Sequence, residues 1–382
     1  MRKGRCLAVV ALWAMGMVLA GGREWSNVRV IERELDGELV LETVSMREAW
    51  ELRRLGVQFM DVTDTGRFAA DVADKYYGIP TNCTHQSIVE PLFVEIDEHR
   101  MFEFDLRFSA HYNRFFNTPS GTRAAEWLAA EYTRVVERSG RSDATVRFFN
   151  HTFTQPSVIV TVEGSGPNSD EVVILGAHLD SVNWNAEVPE LGRSPGAGDD
   201  GSGSTAMFAA FEILLNSGFR PSRRIEFHAY SGEEVGLLGS GEIAATYLAE
   251  GVKVASMVEF DEVAFQTTWA PPGVALIQDN TSPQLNEFLV SAIRTYTNVG
   301  NYSDYCGYGC SDFFSFTKAG YQASFPTQGA SGPSVDGGAE AQWAPIRHTV
   351  DDSIDKLSFT FMAEFVRLAL GYLVEVSLYV SY

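Results

Sequence analysis

Positive charge is what this chain has least of: 29 Lys and Arg stand against 50 Asp and Glu, a formal net charge of -21 at pH 7. So acidic a chain argues for solubility and against nucleic acid or an anionic membrane surface as a partner, while saying nothing of fold. Long apolar runs are missing after the first residues. The opening "MRKGRCLAVVALWAMGMVLAGG" has a basic beginning, an apolar middle and small residues at its end, the pattern of a signal peptide over residues 1–21. Its apolar run is shorter than the roughly 20 residues of a membrane span, and no second run follows. The expectation is a secreted, extracellular protein. Internal repeats and low-complexity tracts are also missing.

Cysteine is scarce, at 4 in 382 residues, and Cys6 falls within the signal pattern. That leaves Cys83 and the pair Cys306 and Cys310. In an oxidising compartment the close pair reads first as a disulfide and second as a metal clip, with Cys83 left odd. Four Asn-x-Ser/Thr sequons, at Asn82, Asn150, Asn280 and Asn301, fit passage through a glycosylating pathway.

What is present in quantity is core material: 45% hydrophobic and 12% aromatic residues suffice for one large domain with an appendage, or for two domains. Residues 22–86 carry short charged and apolar runs and one clear helix, "SMREAWELRRLG", in which Ser45 and Glu48 have capping-box spacing and Gly56 suits the helix end. Such a segment is either a prosegment or a first subdomain. From residue 87 to 382 helix-like and strand-like runs alternate. "GTRAAEWLAAEYTRVVERSG", "GSGSTAMFAAFEILLNSG" and "LGSGEIAATYLAEG" read as helices. "ATVRFFNHTF" with "SVIVTVEG" reads as a hairpin-like pair, and "EVVILGA", "RRIEFHAY" and "VASMVEF" read as buried strands. This alternation implies an α/β domain with helices on both faces of a largely parallel sheet.

Three of those strands run into acidic or histidine residues: His178-Leu179-Asp180, Ser231-Gly232-Glu233-Glu234 and Asp261-Glu262. Ligand sites in open α/β sheets lie outside the carboxyl ends of strands. A fourth acidic site, Asp199 and Asp200 in "PGAGDDGSG", sits on a glycine-rich loop opening a helix. Each alone reads as a cap, a turn or a complement to a helix dipole. Brought to one sheet edge together, these carboxylates would repel or take up protons unless a cation sat among them. Asp, Glu and His without Cys suit Zn²⁺, or less well Mn²⁺ or Co²⁺. His111, His151 and His228 read as structural.

In order and separation, "GAHLDS", "PGAGDDGSG", "SGEEVGLLGS", "EFDE" and "IRHT" resemble the motifs of the two-zinc aminopeptidases of peptidase family M28, particularly secreted bacterial and fungal leucine aminopeptidases. The resemblance runs from about Asn113, in "YNRFFNTPSGTRAAEWL", to the C-terminal helix. It implies a mixed, mostly parallel sheet sandwiched by helices and two zinc ions per chain. His178 and Asp261 would complete one site, Glu234 and His348 the other, and Asp199 would bridge them. Asp180 would orient His178, and Glu233 would be the catalytic base. "CGYGC" matches a disulfide-closed loop beside the pocket, which implies a bonded Cys306 and Cys310 and makes Tyr308 a pocket candidate, with Phe325 and Trp343 as further candidates. "RRLGVQFMDVTD" resembles the propeptide of the fungal enzymes, which favours reading 22–86 as a prosegment. The implied substrates are peptides with a free N-terminus, and the chain is expected to work as a monomer.

Two departures from the family pattern flank the implied pocket: Glu262 follows Asp261 where Met is usual, and Arg347 precedes His348 where Ile is usual. The two are expected to pair across the rim, because an isolated buried charge costs several kcal/mol. A single-zinc glutaminyl cyclase shares the implied fold but lacks the Asp199 to Gly203 pattern. A metal-free binding protein on this fold would have lost ligands, and none is lost here.

Overall fold

The computed structural model describes residues 27–35, 38–66, 68, 75–266, 272–328 and 345–380. The signal-peptide pattern therefore lies outside the described residues. In chain order the elements begin with β1 (Val28–Leu35), β2 (Glu38–Ser45), α1 (Met46–Arg54) and β3 (Met60–Asp61). After α2 (Gln86–Val89), α3 (Glu98–Phe108) and α4 (Pro119–Ser139) come β4 (Ala144–Phe149), β5 (Ser157–Val162) and β6 (Glu171–His178). Then follow α5 (Gly203–Asn216), β7 (Arg224–Tyr230), α6 (Leu238–Glu250), β8 (Lys253–Glu259), β9 (Gly273–Ile277) and α7 (Pro283–Tyr296). The series ends with β10 (Gly300–Asp304), α8 (Phe313–Lys318), β11 (Ala323–Ser324), β12 (Pro326–Gln328) and α9 (Phe359–Leu378).

The main sheet has six strands in the order β11-β8-β6-β7-β5-β4. β6 pairs in parallel with β7 and β8, and β11 joins β8 in parallel, whereas β5 runs antiparallel to β7 and to β4. The sheet is thus mixed with a parallel centre, as expected. Its central strands are covered on both faces, which is why they read as near-continuous apolar runs. On β6, Val173, Leu175 and Ala177 face a core shared with α3, α4, α5, α7 and α9. Val172 and Ile174 face the opposite core, shared with α6 and α8. α9 lies buried against the sheet and ties to it through Tyr372, whose hydroxyl donates to the Ile174 carbonyl at 2.9 Å.

Strand β7 shows why His228 is structural. Ile225, Phe227 and Ala229 face the larger core, and between them Glu226 and His228 form a buried pair at 3.0 Å. Tyr247 donates to the same carboxylate at 2.6 Å, so the buried polar atoms satisfy one another. His151 is likewise bound on both nitrogens, to Glu242 at 2.9 Å and Ser157 at 2.7 Å.

The N-terminal segment makes its own small sheet, β2-β1-β3, with α1 packed on it. The capping box of α1 forms as expected, with Ser45 Oγ accepting from the Glu48 amide and the Glu48 carboxylate accepting from the Ser45 amide. Among the described residues its own apolar cluster buries Ile31, Ala49 and Phe59, with Val44 and Leu52 packed against them. It meets the larger domain through the Asp61 amide on the Gly236 carbonyl at 2.9 Å, Lys318 on Glu32 at 2.6 Å, and Trp50 edge-on to Phe115. Met60, Val62 and Phe68 also pack into the apolar cluster shared with α6 and α8. Residues 79–86 join the larger core instead: Ile79 belongs to it, and the Thr84 and His85 amides both donate to Glu375 of α9 at 2.8 Å.

Candidate metal centre

The carboxyl ends of β6, β7 and β8 lie side by side, so the turns after them place His178, Glu233, Glu234 and Asp261 at one edge. Asp199 comes from the turn leading into α5, and His348 from the segment before α9. His178 Nε2 lies 2.9 Å from Asp199 Oδ1 and 3.6 Å from Asp261 Oδ1. His348 Nε2 lies 3.0 Å from Asp199 Oδ2 and 2.9 Å from Glu234 Oε2. Asp199 therefore faces one histidine-carboxylate pair with each of its oxygens.

These spacings suit a metal. Donors about 2.1 Å from a tetrahedral zinc ion stand roughly 3.4 Å apart. His178 Nε2, Asp261 Oδ1 and Glu234 Oε1 are buried yet make no hydrogen bond, although buried polar atoms normally have a partner. The electrostatics point the same way. Burial alone would lower both imidazoles, but Asp261 with Asp180 and Asp199 raises His178 well above its usual value, and Glu234 with Asp199 raises His348 to about 10. So negative a pocket draws protons in the absence of another cation.

Asp180 does more than orient a histidine. One oxygen faces His178 Nδ1 at 3.6 Å and accepts the Glu233 amide at 3.1 Å, while the other accepts the Glu234 amide at 3.3 Å. It thereby holds the backbone of both glutamates, and Glu233 and Glu234 both line the cavity. Burial first, with Asp312, Glu234 and Asp261 and against His178, pushes the Glu233 carboxyl well above its usual range. Asp200 is a strut: it accepts the His178, Gly203 and Glu262 amides at 3.1, 2.8 and 3.2 Å.

Over the cluster opens a cavity of about 230 Å³. Tyr308 lines it, and Cys306 and Cys310 are disulfide-bonded beside it. Trp343 lies outside the described residues. Phe325 does not line the cavity: it is 0% exposed, stacked on Phe313 in the apolar cluster beneath the disulfide loop. Arg347 and Glu262 do approach, at 3.6 Å, but not across a rim. Glu262 is 1% exposed, where Gln328 donates to its other oxygen at 3.0 Å, and Arg347 forms the wall above it. Burial raises the Glu262 carboxyl and Arg347 opposes the rise. Of the sequons, Asn82, Asn150 and Asn280 are exposed and Asn301 is half-buried on β10. Cys83 is free and half-buried.

Several contributors were not singled out from sequence. Ser311, directly after the disulfide, donates to Asp261 Oδ2 at 2.9 Å. Asp352 accepts the Gly198 and Asp199 amides, both at 2.9 Å. Trp184, Asn185 and Thr349 line the cavity, and so do Arg53, Arg54, Gly56 and Gln58 from the end of α1. Ser311 and Asp352 follow the "CGYGC" and "IRHT" motifs within a few residues, and the four α1-end residues lie in "RRLGVQFMDVTD", whose likeness to a propeptide does not say where the segment docks.

A buried carboxylate-histidine cluster at the carboxyl edge of a helix-sandwiched mixed sheet is a site fit to hold metal ions. The chain belongs to peptidase family M28, whose profile matches residues 157–373. It is 33% identical to a probable leucine aminopeptidase of Arthroderma otae, over 97% of this chain and 98% of that one. It is 36% identical to leucine aminopeptidase 1 of Colletotrichum graminicola, over 87% of this chain and 82% of the relative. Among solved structures, the LapA aminopeptidase of Legionella pneumophila superposes with a TM-score of 0.80 at 23% identity, covering 93% of this chain and 99% of that one, a likeness of fold. No helix among the described residues is long and apolar enough to cross a membrane.

Proposed function

We propose that the chain is a secreted zinc aminopeptidase that removes the first residue of peptides with a free N-terminus, holding two zinc ions per chain and working as a monomer. The observation that carries the reading is the position of Asp199, with one oxygen toward each histidine-carboxylate pair. His178 and Asp261 would hold one ion, Glu234 and His348 the other. When bound, the ions supply Lewis-acid polarisation of the scissile carbonyl and of a water.

The chain's own residues do the rest. Glu233 takes a proton from the attacking water and returns it to the departing amine, a task suited to a carboxyl whose affinity for protons is raised by burial. Asp180 keeps that carboxyl aligned through the Glu233 and Glu234 amides. The surrounding acidic groups suit the substrate's terminal ammonium, which makes the activity exo rather than endo.

The first side chain would meet Tyr308, Arg347 and, below, Glu262. A paired Arg and Glu leave this pocket polar but near neutral, so preference should spread beyond Leu to longer and polar residues. Residues 22–86 act as a prosegment, supported by the four α1-end residues in the cavity. The part that blocks lies within 27–66, which reaches the cavity at 53–58 and packs Met60 and Val62 on the cluster of α6 and α8, while 79–86 is bound into the larger core. The exposed sequons Asn82, Asn150 and Asn280 are the better glycan acceptors.

The test is hydrolysis of aminoacyl-anilides by the secreted, processed protein. It should cleave Leu-anilide, ignore the N-acetylated form and stop with chelator. Cleavage of the blocked substrate, or indifference to chelator, would defeat the reading. For the pocket, kcat/KM on Leu-, Met-, Phe-, Lys- and Glu-anilides decides: preference for Leu over both Lys and Glu by more than about 10³-fold would mean a purely aliphatic pocket. One zinc per active chain, with cyclisation of N-terminal glutamine, would favour a glutaminyl cyclase instead.

A further inference from the structure

Beneath the metal cluster lies a fully buried arginine that no step of hydrolysis uses. Arg114 belongs to the loop between α3 and α4 and is 0% exposed. Its guanidinium donates to three backbone carbonyls: Nε to Leu179 at 2.8 Å, Nη1 to Pro195 at 2.5 Å and Nη2 to Gly196 at 2.7 Å. Its backbone amide donates to Ser181 Oγ at 3.1 Å, and that hydroxyl donates to the Ser194 carbonyl at 3.1 Å.

These partners fall in two groups. Leu179 and Ser181 flank Asp180 in the turn that carries His178, whereas Ser194 to Gly196 lead into the turn that carries Asp199. Roughly fifteen residues separate the groups along the chain, and Arg114 joins them through three hydrogen bonds, with Ser181 adding a fourth. The far side of the second turn is held by opposite charge, since Asp352 accepts the Gly198 and Asp199 amides. An arginine on the carbonyls and an aspartate on the amides grip one short loop from two sides.

The packing leaves little slack. Gly196 adopts φ +51, and a Cβ there would lie 2.9 Å from Arg114 Nη2 and 2.5 Å from Ser181 Cβ. The guanidinium stacks over Phe108 at 4.2 Å, and Asp105 and Asp352 supply countercharge. Arg keeps its charge even when buried, and its planar fork matches several carbonyls at once, which a lysine ammonium cannot do.

We propose that Arg114 is a positioning residue that fixes the separation of His178 from Asp199 and so sets the metal affinity of the site. The inference rests on reading the cluster as a metal centre. Groups behind metal ligands are worth about 10- to 100-fold in affinity or activity when lost. Arg114→Lys keeps the charge and loses the fork.

The experiment dialyses wild type, Arg114→Lys and Ser181→Ala against graded chelator and reads bound zinc per folded chain, with kcat and KM measured separately at limiting and excess zinc. Arg114→Lys should lose zinc at about 10- to 100-fold lower chelator, with kcat reduced at limiting zinc and recovering in excess, and KM within about threefold. Ser181→Ala should move the same way by less. A merely structural arginine would lower the melting temperature but leave zinc affinity of the folded fraction unchanged, and that result overturns the assignment. If Arg114→Lys does not fold, Ser181→Ala decides alone, and zinc affinity equal to the wild type's overturns it. A wild type that binds no zinc sinks the metal reading itself; a zinc-binding wild type with unaltered variants sinks only the clamp.

Discussion

Strands β2 and β6 are of equal length and similar β-branched content, yet β6 is buried at all but its first residue and no residue of β2 is buried. Leu39 and Leu41 of β2 remain about half exposed, whereas Leu175 of β6 is fully covered. The difference is one of neighbours. β6 has strands on both sides and helices on both faces, and β2 is the outer strand of a three-stranded sheet with one short helix. The larger core is built without residues 27–66, whereas the N-terminal segment buries its own apolar residues partly by docking on the cluster of α6 and α8. Its α1 end stands in the cavity, and its residues Met60 and Val62 cover part of the cluster shared with α6 and α8.

The largest expected effect separates binding from chemistry within the domain. Glu233→Gln should keep its zinc and lose about 10²- to 10⁴-fold in kcat, whereas Glu234→Gln should lose zinc itself, as metal analysis beside anilide kinetics will register. Zinc loss in the Glu233 variant would mean that the two glutamates have been assigned the wrong way round.

Next comes the docked segment. Proteolytic removal of residues up to 66 from the folded chain should raise kcat/KM by about tenfold or more, equivalent to some 1.4 kcal/mol of blockade, with the melting transition of the remainder retained. A remainder that unfolds at once would erase the contrast between the two regions.

The contrast sharpens with two carboxylates. Glu375→Gln weakens the acceptor of the Thr84 and His85 amides inside the larger core and should cost about 1–3 kcal/mol in chemical denaturation. Glu32→Gln removes the countercharge of Lys318 at the docking face, a cost that falls on the segment's attachment, so the unfolding free energy of the larger domain itself should be nearly unchanged. Equal costs would show that the segment is as integral as residues 79–86.

The smallest effect is a pH slope. Burial first, then Arg114, Arg123 and Arg193, lowers His111 from its usual 6.5 to about 4. Because the folded value is the lower one, the neutral ring contributes stability that is present above pH 6.5 and lost as pH falls toward 4. His111→Gln should flatten the fall in unfolding free energy over that window, and an unchanged slope would remove His111 from the account.

Much of this architecture was legible because the central strands announce themselves. A strand covered on both faces must be largely apolar, as β6 and β8 are, and one running into His178 or Asp261 must carry those groups to the sheet edge. The capping box of α1 was equally local. What could not be read was whatever joins segments far apart in sequence. Arg53 and Gln58 reach the cavity because Glu32, Trp50, Met60 and Asp61 dock the segment on residues far along the chain, and Arg114 matters because two turns close on it. The depth of Glu262 was missed for a related reason: position beside Asp261 suggested a rim, but the chain at Glu262 adopts positive φ and takes the side chain down toward Gln328. Phe325 read as a pocket aromatic under the family resemblance, and tertiary packing against Phe313 turned it inward.

The most direct test of the central claim is a zinc titration of the chelator-stripped, processed protein with turnover of Leu-anilide as the readout. Two triads sharing Asp199 predict that bound zinc saturates at two ions per chain and that full activity is reached only as the second is taken up. Saturation at one ion with full activity, or full activity in the stripped protein, would contradict it.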